Sequence, residues 1–236
     1  MKRSGLATAL HLPYVAYAVG SFAVLASIVL AVNIFVPNLR HRRVVAGRFS
    51  RAFLWVAGIP FSVEGLDRLP KTPCVVVANH ASYIDALAIV SALPPDFAFV
   101  IKKEMVRVPL MGLLLRRLGS QFVERFDRHK GAADARRVLK LAAAGQSMMF
   151  FPEGTFDENR QIGRFMGGAF TTAARSQMPV VAVAIHGTRE VMPPGGGVWV
   201  YRQPIRVQIL EVLPAEGARH RSRDLIARAV GDPLAP

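Results

Sequence analysis

From residue 61 onward, short apolar runs alternate with stretches of helical periodicity, and this alternation constrains the fold more than any other feature. The apolar runs 61–64, 74–78, 97–101, 121–124, 148–151, 180–185, 198–201 and 205–211 read as strands. Residues 84–92, 109–118, 132–144, 167–176 and 222–230 carry the spacing of helices. Strands that alternate with helices of this length predict an α/β fold, a mixed and largely parallel sheet flanked by helices. In such sheets the chemistry gathers outside the carboxyl ends of the strands, so the polar residues that follow each apolar run are the candidates for function.

Four such groups stand out. The first is Asn79-His80-Ala81-Ser82-Tyr83-Ile84-Asp85, at the join between a strand and a helix. His80 precedes the helix, so its ring can fold back towards Asp85. A carboxylate on one imidazole nitrogen fixes the tautomer and makes the other nitrogen a better base. The competing reading is local: Asn79 or Ser82 caps the helix and His80 is merely their neighbour. The second group, Phe150 to Phe156, ends a strand at Pro152, allows a tight turn at Gly154 and sets Glu153 and Thr155 at its mouth. Turn chemistry alone would justify much of that string. The third, Gly119 to Asp127, delivers Glu124 and Arg125 to a strand end, where Arg125 can either clamp a phosphate or sit in an exposed ion pair. The fourth, Met178 to Arg189, is chiefly a buried strand with His186 at its rim.

The amino terminus has a different character. No charged residue occurs from Ser4 to Leu39, and residues 14–36 are almost wholly apolar. Roughly 20 apolar residues cross a bilayer core, so this stretch is long enough to span one. Pro13 suits a first helical turn and Pro37 ends the run. Residues 44–59 mix Arg48 and Arg51 with aromatic and aliphatic residues and read as a basic interfacial helix. A full span and a hairpin dipped into one leaflet both fit. Residues 1–60 are therefore expected to attach a catalytic domain of residues 61–236 to a membrane. The basic cluster after the apolar run favours a catalytic domain on the cytoplasmic side of the inner membrane. The formal net charge of +14 points to an anionic partner. The apolar terminus selects a membrane surface over nucleic acid, for which no recognised module is present. Cys74 is the only cysteine, so no intramolecular disulfide forms, and no His/Cys spacing suggests a metal.

Taken together, the order and spacing of these groups resemble the glycerolipid acyltransferase superfamily, in particular the lysophosphatidic-acid acyltransferase (PlsC-like) family. Asn79-His80-Ala81-Ser82-Tyr83-Ile84-Asp85 is similar to its NHxSxxD motif. Gly119 with Phe122-Val123-Glu124-Arg125 matches the second motif, Phe151-Pro152-Glu153-Gly154-Thr155 the third, and the strand from Pro179 the fourth. The resemblance covers roughly residues 64–212. It implies that His80 is a general base oriented by Asp85, and that the acceptor site is shaped by Glu153 and Gly154, with Asn79, Ser82 and Thr155 beside it. It further implies that Arg125 binds the acceptor's phosphate. The family commonly has Arg after the third motif and a Lys further on; here Phe156 and Met166 stand there. Lys102, Lys103, Arg160 or Arg164 are the cations that could substitute, or the acceptor is less anionic. The implied reaction moves a fatty acyl chain from acyl-CoA or acyl-ACP to the free hydroxyl of a lysolipid, first of all 1-acyl-sn-glycerol-3-phosphate, with no cofactor or metal. A lyso-ornithine lipid or another lysophospholipid is the alternative acceptor, and a non-catalytic lipid-binding module the alternative function.

Overall fold

The computed structural model describes residues 5–124, 128–156, 158–195 and 199–235. Its centre is a seven-stranded sheet in the order β1-β7-β6-β2-β5-β3-β4. The strands are β1 (Phe61–Glu64), β2 (Val75–Ala78), β3 (Phe97–Lys102), β4 (Gln121–Val123), β5 (Ser147–Phe150), β6 (Val180–His186) and β7 (Ile205–Leu213). Five of them, β6, β2, β5, β3 and β4, run parallel to one another. β7 lies antiparallel to β6, and β1 pairs parallel with β7. The carboxyl ends of β2, β3, β4, β5 and β6 therefore share one edge of the sheet, the edge to which the sequence motifs belong.

β2 is apolar at every position, and β5 and β6 at all but one end residue, because both faces of the central sheet are covered. Successive side chains point to opposite faces, and β2 shows the consequence. Val76 and Ala78 join a core with Leu54, Ile84 and Ile89, while Val75 and Val77 join a second core with Met148, Phe165 and Ile226. The helices are α1 (Gly5–Phe35), α2 (Leu39–Val56), α3 (Asp85–Ala92), α4 (Met111–Arg117), α5 (Arg128–Ala143), α6 (Gly168–Arg175), α7 (Thr188–Val191) and α8 (Ala218–Val230).

α1 contains a 25-residue stretch, His11–Phe35, long and apolar enough to cross a membrane. It packs along α2, with Phe22 edge-on to Phe53 at 5.3 Å and the Tyr14 hydroxyl donating to the Ala57 carbonyl at 2.9 Å. α2 begins at an Asn38 cap whose side chain accepts from the His41 amide. It is more than a surface helix: Phe53 and Leu54 lie in the same core as β2 and α3. Two of its arginines reach backbone carbonyls of the domain. Arg51 donates to Ser91 O, and Arg43 to Leu118 O and Pro95 O.

One expected strand is not formed. Of residues 198–201, Val198 lies outside the described residues, and Trp199–Tyr201 carry no ladder. Their apolar character serves a different contact. His11 of α1 stacks on Tyr201 at 4.6 Å and bonds the Val200 carbonyl at 2.8 Å. Elsewhere the expected elements are found with shifted ends: α1 starts at Gly5, so Pro13 lies inside it rather than in its first turn, and α8 starts earlier than its periodicity suggests, with Ala218 and Ser222 buried.

Candidate active site

His80 follows the end of β2, and Asp85 opens α3. The Nδ1 of His80 lies 2.8 Å from Asp85 Oδ2. The same oxygen accepts from the backbone amides of Ala81 at 2.7 Å and Ser82 at 2.8 Å. A short turn brings these amides onto the carboxylate, so Asp85 holds both the imidazole and the backbone that carries it. Asp85 is fully buried, whereas the His80 side chain keeps 19% exposure. Asp85 Oδ1 meets no hydrogen-bond donor among the described residues. With Nδ1 directed at a carboxylate, the protonated nitrogen in the neutral ring is Nδ1, and Nε2 is left as the acceptor that can take a proton.

Aromatic rings fix the plane of the imidazole. Phe151 stacks on it at 4.3 Å and 16°, and Phe156 meets it edge-on at 4.6 Å and 75°. Tyr83, largely exposed, packs edge-on against Phe156 at 4.8 Å.

Glu153 follows β5 and ties this turn to a distant loop. Its Oε1 accepts from the His80 amide at 2.7 Å and its Oε2 from the Gly163 amide at 2.6 Å. Burial raises the carboxyl above the usual Glu range, while the two amides pull the other way. Gly163 leaves no room for a side chain, since a Cβ there would lie 2.9 Å from Glu153 Oε2. Gly154 has φ +76°, a conformation that favours glycine, and so turns the chain immediately after Glu153.

Several residues expected at the acceptor are occupied by the protein itself. Asn79 is buried, donating from Nδ2 to Ile185 O at 2.9 Å and accepting at Oδ1 from Ile185 N at 2.8 Å. Ser82 Oγ donates to Met192 O at 2.6 Å. A buried amide, hydroxyl or carboxylate must satisfy its bonding, and for Asn79, Ser82 and Glu153 backbone partners from β6 and neighbouring loops do so. Ser82 is not a helix N-cap, because that position falls on Ile84 and has no side-chain cap. Thr155 is exposed, its hydroxyl facing the Phe156 carbonyl. Lys102 ends β3 at the same edge, and Lys103 points towards Asp134 of α5 at 3.8 Å. Arg125 lies outside the described residues. Arg160 pairs with Glu190. His186, at the end of β6, is kept below the usual imidazole range by burial and by Arg206, so it is neutral at physiological pH. No group of His, Cys, Asp and Glu suited to a metal occurs among the described residues.

A His/Asp pair at the carboxyl edge of a parallel sheet, whose second ring nitrogen bonds no nucleophilic side chain among the described residues, has the geometry to take a proton from a hydroxyl. The family model for acyltransferases matches residues 60–186, and the chain belongs to that acyltransferase family. Among curated proteins it is 33% identical over 161 residues to a chloroplastic 1-acyl-sn-glycerol-3-phosphate acyltransferase of Brassica napus, covering 66% of this chain and 46% of that one. It is 28% identical over 180 residues to the lyso-ornithine lipid O-acyltransferase of Pseudomonas aeruginosa, covering 68% and 67%. The chain thus spans about half the length of the plant relative. The fold is that of the 1-acyl-sn-glycerophosphate acyltransferase PlsC of Thermotoga maritima, with a TM-score of 0.80 at 21% identity over 95% of this chain and 96% of that one.

Proposed function

We propose that the protein is a membrane-associated O-acyltransferase that moves a fatty acyl group from a thioester, acyl-CoA or acyl-ACP, to the free hydroxyl of a lysolipid. The hydrogen-bonded pair of His80 and buried Asp85, with Nε2 of His80 meeting no partner among the described residues, is the observation that carries this reading. His80 Nε2 takes the hydroxyl proton as the hydroxyl oxygen bonds to the thioester carbonyl carbon. The resulting tetrahedral oxyanion collapses, the carbon–sulfur bond breaks, and the thiolate leaves and receives the proton. Asp85 stabilises the imidazolium that exists between the two proton transfers, and no acyl-enzyme is formed. Residues 1–60 attach the protein to the membrane and residues 61–236 carry the chemistry, on the cytoplasmic side of the inner membrane. The basic surface supports an anionic bilayer, and an acidic carrier protein or the phosphates of CoA, as partners.

The first acceptor to expect is 1-acyl-sn-glycerol-3-phosphate, the acyl acceptor named for the plant relative. A lyso-ornithine lipid is the second, favoured by Phe156, which sets an apolar ring rather than a cation against His80. The test is to incubate the purified full chain with each donor and a panel of lysolipids, reading diacyl products by mass spectrometry. A product with one donor–acceptor pair is expected, and inertness with every pair would overturn the reading.

A further inference from the structure

The connection from β3 to β4, Lys102 to Arg117, leaves the carboxyl edge of the sheet beside the site and presents apolar residues outward. Val108, Leu110 and Leu113 are exposed at 43%, 67% and 45%. The backbone is held in that arrangement against its own preference. Leu110 has φ +59°, a region that a leucine adopts only when its surroundings enforce it. Gly112 closes the turn so tightly that a Cβ would lie 2.3 Å from the Val106 carbonyl oxygen. The result is a firm loop with leucine at its tip.

Two features say what covers it. The loop is continuous with α1: Arg117 at the end of α4 donates to Asn33 O at 3.1 and 2.6 Å and to Ile34 O at 2.6 Å. α1 in turn exposes Val24, Ile28, Ile34 and Phe35, the last at 82%. The loop is also strongly basic, with Lys102, Lys103, Arg107, Arg116 and Arg117 against one acid, Glu104. Exposed aliphatic residues ringed by cations match the interface of an anionic bilayer, where apolar side chains reach the acyl region and basic ones lie on phosphates.

We propose that the Lys102–Arg117 connection is a second membrane contact, in which Val108, Leu110 and Leu113 enter the interface while Lys102, Arg107 and Arg116 face anionic headgroups. This rests on the membrane association proposed above and adds what that association does. It holds the carboxyl edge of the sheet, and His80 with it, against the bilayer, so that a lysolipid hydroxyl reaches the base without its acyl chain leaving the leaflet.

The test uses the full chain, reconstituted into phosphatidylcholine vesicles with and without phosphatidylglycerol. Single cysteines replace Leu110, Leu113, Val24 of α1, or Glu216 on the opposite edge of the sheet, and each is labelled with an NBD fluorophore. Cys74 can stay, because it is buried and its thiol is pushed up to about 11, so it remains protonated and unreactive near neutral pH. Labels at positions 110 and 113 are expected to be quenched by nitroxide-bearing lipid and protected from aqueous iodide, more strongly when phosphatidylglycerol is present. The label at 216 should show the reverse. If 24 is quenched by nitroxide lipid while 110 and 113 respond only to iodide, the second contact is overturned and membrane association stands. If none of the three responds to lipid, both fall. If 110 is shielded from lipid and iodide alike, the loop is covered by another protein surface and the proposal is wrong.

Discussion

Replacing Asp85 by Asn separates the charge of the carboxylate from its shape. In the wild type, Asp85 Oδ2 accepts from His80 Nδ1 and from the Ala81 and Ser82 amides at 2.7–2.8 Å. An asparagine can keep the two amides on its oxygen, but it brings no negative charge to the imidazolium. If it rotates instead, its NH2 meets Nδ1, forces the proton to Nε2 and leaves no acceptor for the substrate hydroxyl. Either way the general-base contribution, worth ~10²- to 10⁴-fold, is largely lost. At 1.36 kcal/mol per decade this is about 2.7–5.5 kcal/mol of transition-state stabilisation. Because His80 and Asp85 act as one unit, the losses should not add. With CoA release followed under saturating donor and lysolipid, Asp85→Asn is expected to lower kcat by ~10²- to 10⁴-fold. The double variant with His80→Ala should be no slower than His80→Ala alone. Additive losses would refute the coupling, as would a folded Asp85→Asn enzyme within a few-fold of wild type.

Further outcomes follow from the same contacts. Glu153→Gln places an NH2 against the His80 or the Gly163 amide, so it should cost about 1–3 kcal/mol of stability and lower kcat while leaving KM for the acceptor little changed; a rise in KM alone would mean that Glu153 binds acceptor. Asn79→Ala strips partners from both the N–H and C=O of Ile185 in the core, and thermal unfolding should show a loss of about 2–6 kcal/mol, each unsatisfied group costing about 1–3. Cys74 gives a pH dependence. Its folded-state thiol is raised from 9.0 to about 11, so its contribution to stability is fully present below the unfolded value and is lost as pH rises through the folded one. Replacing Cys74 by Ala should therefore flatten the stability curve between about pH 9 and 11 in chemical denaturation, and native protein should resist alkylation at neutral pH until it is unfolded.

How much of this was legible in the sequence depends on the range of the contact. Strands such as Val75–Ala78 are apolar throughout because both faces are covered, a local signal that a pattern reports directly. The same signal misleads at Trp199–Tyr201, where the apolar residues lie against α1 rather than in a ladder, and composition cannot distinguish those two kinds of burial. The proximity of His80 and Asp85 was legible because both sit on one turn. The partners of Asn79 and Glu153 were not. Ile185 lies 106 residues from Asn79, and Gly163 is joined to Glu153 across a loop with no periodicity of its own. Those bonds tie Asn79 and Glu153, which the family resemblance places at the acceptor site, to backbone groups that no local pattern reports. Phe156 is an intermediate case: its departure from the family pattern was visible, but its edge-on contact with His80 needed the structure.

The most direct measurement is the turnover of His80→Ala by the purified full chain, with the donor–lysolipid pair that gives product in the wild type. The variant is expected to fold, to associate with vesicles as the wild type does, and to lose at least ~100-fold in kcat. A folded His80→Ala enzyme that still forms diacyl product at near the wild-type rate would contradict the assignment of His80 as the base.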